Sequence, residues 1–246
     1  MSFHNDKQIE LQKLLSRVEY TKLKDGIFKD PKALELVSSL DLSNVKRLDS
    51  NKEERYMATT LFLDQMVNDY IIYNSNAAII TVNAGLDTRK TRVDRKNTTW
   101  YNLDTEEMKL YKESLGFDNI IANDILDEAW PESINTSCPS VLVILEDYVM
   151  YEDKDKVLKI LKFLASHFAN LTVLIENLSL RLLNNLKGIY DYKTAYTVKE
   201  FLSSDDGYEF IKKRSTYRGL EKLYWYKLFT EFLGSNYTEI VMIHKN

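Results

Sequence analysis

Residues 77–89, AAIITVNAGLDTR, constrain the fold of this chain more than any other stretch. They open with Ala77, Ala78, Ile79, Ile80, Thr81 and Val82, small or apolar with almost no polar alternation. That pattern belongs to a strand buried on both faces, which requires a parallel sheet covered by helices. The strand runs into Asn83, Ala84 and Gly85 and turns polar at Asp87, Thr88 and Arg89. Open α/β sheets bind nucleotide-like ligands where such a strand meets a turn of small residues, because a ligand can then approach the backbone. Gly85 alone does not make a G-x-G-x-x-G loop, so the turn marks a place and not a ligand.

The rest of the chain follows the same plan. Leu11, Leu14, Leu15 and Val18 repeat at helical spacing within 7–25. Asp30-Pro31 reads as an N-cap followed by proline at the first helical position. A longer helix over 52–73 carries Met57, Leu61, Met66, Val67 and Ile71 on one broad stripe. Three helices are therefore expected before the first strand. Beyond it, strands are expected at 98–103, 119–122, 141–145 and 171–175, with helices over 105–115 and 153–168. Leu180, Leu182, Leu183 and Leu186 suggest another helix. Strands over 208–213 and 238–243, with a helix over 217–232 between them, suit an antiparallel edge hairpin added to the sheet.

Composition narrows the class. The 246 residues are 44% hydrophobic and 28% charged, enough for a core. No Pro/Gly-rich linker divides them, so one domain is expected. A formal net charge of -4, with no long run of one sign, argues against a dedicated nucleic-acid binder. Cys138 is the single cysteine; it excludes an internal disulfide and cannot begin a zinc cluster, and no metal site is expected. The opening MSFHNDKQIE lacks a signal-peptide core, and no run approaches about 18 apolar residues. A cytoplasmic protein with no membrane partner is the expectation.

Acidic residues follow the strand candidates in step: Asp87, Asp104, Asp124, then Glu146 with Asp147. In a parallel sheet all strand C-termini lie on one edge, so these carboxylates converge on one crevice. Asp104 lies about twenty residues beyond the Gly85 turn, the spacing at which a carboxylate meets ribose hydroxyls. It is expected as an exposed strand-end group. Asp124 is placed to accept from an exocyclic amine such as that of adenine.

Four segments, NAGLDTR (83–89), WYNLDTEEM (100–108), NDILDEAW (123–130) and ILEDYVMYED (144–153), resemble motifs of the leucine carboxyl methyltransferase-like family, in that family's order. The family includes protein C-terminal leucine carboxyl methyltransferases and bacterial polyketide O-methyltransferases. The resemblance implies a class I methyltransferase fold: an α/β, Rossmann-like, seven-stranded, mostly parallel sheet with an antiparallel last strand. It also implies S-adenosylmethionine as cofactor. Ala84, Gly85 and Asp87 would shape the turn under its methionine part, and Asp104 would bind the ribose. Asp124 and Ile125 would bracket adenine. Glu146 and Tyr148 would lie near the sulfonium, with Asn83, Leu103, Asn123 and Asp147 completing the cofactor set. Arg89 and Tyr151 would be structural or substrate-side residues near the same edge. The chain departs from the family pattern at Asn83 and Asp147, where glycine is usual, and at Asn102, usually acidic. Thr59 and Leu61 occupy positions where arginine is usual, and Arg55 or Lys52 is the nearest substitute.

The resemblance spans about residues 77–155; the chain as a whole is read as one domain with a helical lid (1–75), a cofactor-binding core (76–176), a substrate-side insertion (177–205) and a C-terminal part completing the sheet (206–246). The apolar stripes of the first helices are too narrow for a core of their own, so a lid over the crevice is expected, with Tyr56 and Met57 reaching the methyl acceptor. Tyr148, Tyr151 and Tyr56 are the candidate catalytic side chains. A carboxylate acceptor ionises near pH ~4 and needs no base, whereas a phenol ionises near ~10 and gains from one. His4, His167 and His244 offer no obvious base, so a self-ionising acceptor, a small molecule or a protein C-terminus, is preferred. Two other readings stay open: a methyltransferase-fold protein that binds without catalysis, and a nicotinamide-dependent oxidoreductase.

Overall fold

The computed structural model describes residues 7–24, 26–93, 97–135, 137–186, 192–202, 207–215 and 238–245. The expected helix over 217–232 and His4 lie outside the described residues. In chain order the elements are helices α1 (Lys7–Lys22), α2 (Pro31–Ser38) and α3 (Ser50–Tyr73), strand β1 (Ala78–Val82), α4 (Arg89–Arg92), β2 (Thr99–Asp104), α5 (Glu106–Ser114), β3 (Ile120–Ala122) and β4 (Val141–Leu145). They continue with α6 (Lys154–His167), β5 (Leu171–Asn177), α7 (Leu180–Leu186), α8 (Val198–Leu202), β6 (Glu209–Ser215) and β7 (Glu239–Lys245).

The seven strands form one sheet in the order β3-β2-β1-β4-β5-β7-β6. β1 is central: Ala78 pairs with Thr99 of β2 on one side and with Val141 of β4 on the other, both parallel. β7 runs antiparallel to β5 and to β6, so β6 points the same way as β1–β5. The expected edge hairpin is therefore present with its second strand turned inward, wedged between β5 and β6.

Alternate residues of the central strands feed two cores. Ile80, Val143 and Val173 face α6, with Ile160, Leu161 and Leu164. Ile79, Leu142 and Leu174 face α3, with Phe62, Leu63, Met66 and Val67. Burial on both faces is the reason these strands read as unbroken apolar runs. Helix starts follow local chemistry. The Asp30 side chain accepts from Ala33 N, with Pro31 at the first helical position, and the Asp49 side chain accepts from Lys52 N. The small first helices do not stand apart: Leu11, Leu14 and Val18 of α1 pack with Ala33 and Leu36 of α2 on Leu86, in the turn after β1. Among the described residues, no helix is long and apolar enough to cross a membrane.

Candidate functional site

The turns at the C-terminal edge of the sheet have unusual backbones. Asn83 (φ 48), Gly85 (φ 51) and Asp147 (φ 50) all lie in the left-handed region. Asn and Asp are the side-chain-bearing residues that enter this region most readily, because a short polar side chain can hydrogen-bond locally. The two positions at which the resembled family carries glycine are thus occupied here by residues that accept the same backbone shape. Gly85 is held by space as well as by φ: a Cβ there would lie 1.9 Å from Glu10 Oε2.

Arg89, after β1, is buried among three carboxylates. Its guanidinium lies 2.8 Å from Asp64, 2.9 Å from Asp87 and 2.8 Å from Glu146. Arg92 bonds Asp64, Asp87 and Asp30. Arg17 of α1 bonds Asp30, the Tyr56 hydroxyl and the Leu86 carbonyl. Three arginines thus meet four carboxylates, Asp30, Asp64, Asp87 and Glu146, leaving one negative charge in excess. Burial disfavours the charged form of Asp87, but Arg89, Arg92 and Arg17 outweigh it and hold this carboxyl well below its usual range. Arg89, at 1% exposure, joins the turn after β1 to α3 and to the end of β4.

Two clefts open on this edge. One, of about 370 Å³, is lined by Asn83, Leu103, Asn123, Asp124, Ile125 and Tyr148, among others. The other, of about 170 Å³, is lined by Lys13, Tyr56, Glu146, Asp147, Tyr151 and Glu176, with Thr59, Arg55 and Tyr192 beside them. Cluster packing of Leu178 and Leu182 against Met150, with Tyr151 and Tyr192, brings the 177–205 segment to the wall of this second cleft. Met57 does not reach it; the side chain is fully buried with Tyr20 and Phe28, where it fastens α3 to the first helices. Tyr148 and Tyr151 are pushed up by burial and then by nearby carboxylates, Tyr56 likewise by burial, so all three remain protonated donors.

Asp104 is not an exposed strand-end group. It is 1% exposed because α5 folds Lys112 over it, with Nζ 3.4 Å from Oδ2, and because Thr105 N bonds Oδ1. Burial pushes Asp104 up and Lys112 down. Helix α1 closes the turn from above. Leu86 N donates to Glu10 Oε2 at 3.1 Å, and Lys13 bridges Glu10 (3.0 Å) and Asp147 (3.1 Å).

Sequence reading missed Glu10, Lys13, Arg17, Lys112 and Glu176. All but Lys112 come from elements remote in sequence from the motif they serve; Lys112 lies only eight residues beyond Asp104, on the next helix. The described histidines stand elsewhere: His167 bonds Glu128, and His244 bonds Thr172 near the start of β5, at the opposite end of that strand from the crevice.

The residues fit a nucleoside cofactor at one end: an apolar slot of Leu103 and Ile125 carries the Asp124 carboxylate beside a left-handed turn. Along the Gly85 turn the fit requires Glu10 to move, since its carboxylate fills the space above the glycine.

No protein-family model matches the chain, and no curated protein matches it in sequence. Solved structures do match in shape. A candidate methyltransferase from Thermobifida fusca YX superposes with a TM-score of 0.60 at 15% identity, covering 94% of each chain. A DUF574 family protein from Streptomyces avermitilis MA-4680 has a TM-score of 0.60 at 10% identity, covering 94% of this chain and 97% of that one. Magnesium protoporphyrin IX methyltransferase from Synechocystis PCC 6803, with bound S-adenosylhomocysteine, has a TM-score of 0.54 at 10% identity, covering 88% and 95%. With its strand order and single antiparallel strand, the chain has the class I methyltransferase fold.

Proposed function

We propose that this chain is an S-adenosylmethionine-dependent O-methyltransferase of the leucine carboxyl methyltransferase-like kind, acting on an oxygen of a small molecule or a peptide carboxyl group. One observation carries the reading: a nucleoside-sized cleft and a second cleft open on the same sheet edge, beside a charge network with one carboxylate in excess. Excess negative charge favours a cationic ligand such as a sulfonium. Asp124 and Ile125 would hold adenine, and Asn83 and Leu103 would line the nucleoside. Asp104, freed in part from Lys112, would take the ribose. Glu146, beside Asp87 and Arg89, would face the sulfonium, while Lys13 or Arg55 would meet the carboxylate of the methionine part. The cofactor supplies a methyl group on positively charged sulfur for in-line displacement, so the chain must align the acceptor and exclude water. Helix α1 suits the second task, since Leu11 and Leu14 seat it on the Leu86 turn and Lys13 fastens it to Asp147.

Calorimetry with S-adenosylmethionine, S-adenosylhomocysteine and NAD tests the reading. Binding of the first two, and not of NAD, is expected. Binding of NAD alone would move the chain to the oxidoreductase reading. Absence of binding by either sulfur compound at millimolar concentration would remove the enzyme reading.

A further inference from the structure

Three carboxylates line the acceptor cleft, and their partners differ. Glu146 is paired with Arg89, and Asp147 with Lys13. Glu176, near the end of β5, has no ion-pair partner among the described residues. Its Oε1 accepts from Thr59 Oγ1 at 3.1 Å and Thr238 Oγ1 at 2.9 Å, and its Oε2 accepts from Asp147 N at 2.9 Å. A carboxylate has about four acceptor positions, so one on Oε2 is left. The side chain is only 7% exposed, yet it lines the cleft. None of its three hydrogen bonds requires a full charge, so support of the cleft wall does not explain a carboxylate there.

We propose that Glu176 is the general base of methyl transfer, and that the acceptor is a neutral phenol rather than a carboxylate. This rests on the methyltransferase reading above. The cleft's three acids are matched by Lys13, Lys52 and Arg55, so charge alone does not choose the acceptor; a carboxylate acceptor is already ionised and would give Glu176 no proton to take. A phenol is neutral on entry and matches walls that include Tyr151 and Tyr192, whose rings lie 5.1 Å apart, and the apolar Met150. Its O–H passes the proton to the remaining position on Glu176 Oε2. The oxygen's electron pair forms the bond to the methyl carbon, and the carbon–sulfur bond breaks with its electrons left on sulfur. The proton then leaves Glu176 for solvent through the cleft mouth.

The surroundings suit a base at neutral pH. Burial, then the charges of Asp147 and Glu146, push Glu176 up to about 7. A base works best with its proton affinity near the operating pH. Other groups around it are Thr59, Lys52 and Arg55 from α3, Lys13 from α1, Tyr151 after β4, Tyr192, and Thr238 before β7. Tyr192 is pushed up to about 12, chiefly by burial, and Tyr151 higher still, so neither phenol replaces Glu176 as base.

The test uses the full chain labelled with carboxyl-13C glutamate and saturated with S-adenosylhomocysteine. One carboxyl resonance is expected to titrate near pH 7 and to vanish in Glu176→Gln, which keeps the shape and can still serve both threonines. Transfer of labelled methyl is then compared for 4-methylphenol and 4-methylbenzoate. Transfer to the phenol is expected to rise with pH through about 7, and to fall by about 100-fold or more in Glu176→Gln with S-adenosylhomocysteine affinity unchanged. Titration of Glu176 in the ordinary carboxyl range overturns the proposal. So does preferred transfer to the benzoate, or full activity of Glu176→Gln on the phenol. Where neither probe is methylated, the titration alone decides. Failure of the wild type to bind S-adenosylhomocysteine would instead remove the methyltransferase reading itself.

Discussion

The two clefts on this sheet edge are built by opposite means. The cleft beside Asp124 is made mostly of short runs, Val82 and Asn83, Leu103 with Thr105, and the consecutive Ala122 to Ile125, and is closed by Tyr148, Glu152 and Lys156. Each run is the end of a parallel strand and its turn, so backbone geometry alone brings them together. The cleft beside Glu176 is made of side chains from α1, α3, the turn after β4, β5, the 177–205 segment and the approach to β7. Nothing local unites them; tertiary packing does. The contrast separates a cleft set largely by topology from one set by individual side chains.

Arg89 ties the turn after β1 to α3 and to Glu146 in the wall of the Glu176 cleft, so its removal has the largest expected effect. Arg89→Ala would leave Asp64, Asp87 and Glu146 without their shared buried partner, and a loss of about 3–5 kcal/mol in denaturant unfolding is expected. A loss under about 1 kcal/mol would show that the ion pairs do not tie these elements together.

Glu176→Gln separates the regions by pH. The folded state raises the proton affinity of this carboxyl above that of the unfolded chain, so the folded state binds more protons between about pH 4.3 and 7. Stability from Glu176 is therefore fully present below the unfolded value and is lost as pH rises through about 7. Wild type should lose on the order of 3 kcal/mol relative to Glu176→Gln between pH 4 and pH 8. Parallel stability curves for the two proteins would contradict this.

Asp124→Ala acts on the other cleft alone. S-adenosylhomocysteine should bind more weakly by about 1.5–3 kcal/mol, the range for a hydrogen bond to a charged group, while the Glu176 titration stays in place. Lys13→Ala is the smallest change. It removes a partly exposed bridge between α1 and Asp147, so stability should fall by about 1 kcal/mol or less while amides of α1 exchange faster. Unchanged exchange in α1 would show that Lys13 does not fasten the helix.

All seven strands are legible in the sequence to within two residues; for β1, β4 and β5 the reason is burial on both faces, which leaves an unbroken apolar run. Asp30-Pro31 is legible for the same local reason, although Asp30 also serves Arg17 and Arg92, which no local rule reveals. The one-turn α4 is shorter than a strand–helix alternation suggests, since Arg89 and Arg92 turn inward to the carboxylates and Val93 is already extended. Asp104 reads as an exposed carboxylate because nothing near it in sequence announces that Lys112, two turns along α5, folds back over it. Glu176 reads as the end of an apolar strand; its role depends on Thr59 and Thr238, 117 and 62 residues away.

Hydrogen exchange with and without saturating S-adenosylhomocysteine tests most directly whether both clefts belong to one site beneath α1. One ligand spanning the edge should protect amides at Asn83–Asp87 and Asp124–Ile125, and should also change exchange along Lys7–Lys22, because Glu10 must leave the Gly85 turn for the ligand to pass. Protection confined to the Asp124 cleft, with α1 unchanged, would mean that the acceptor-side cleft and its lid are not part of a cofactor site.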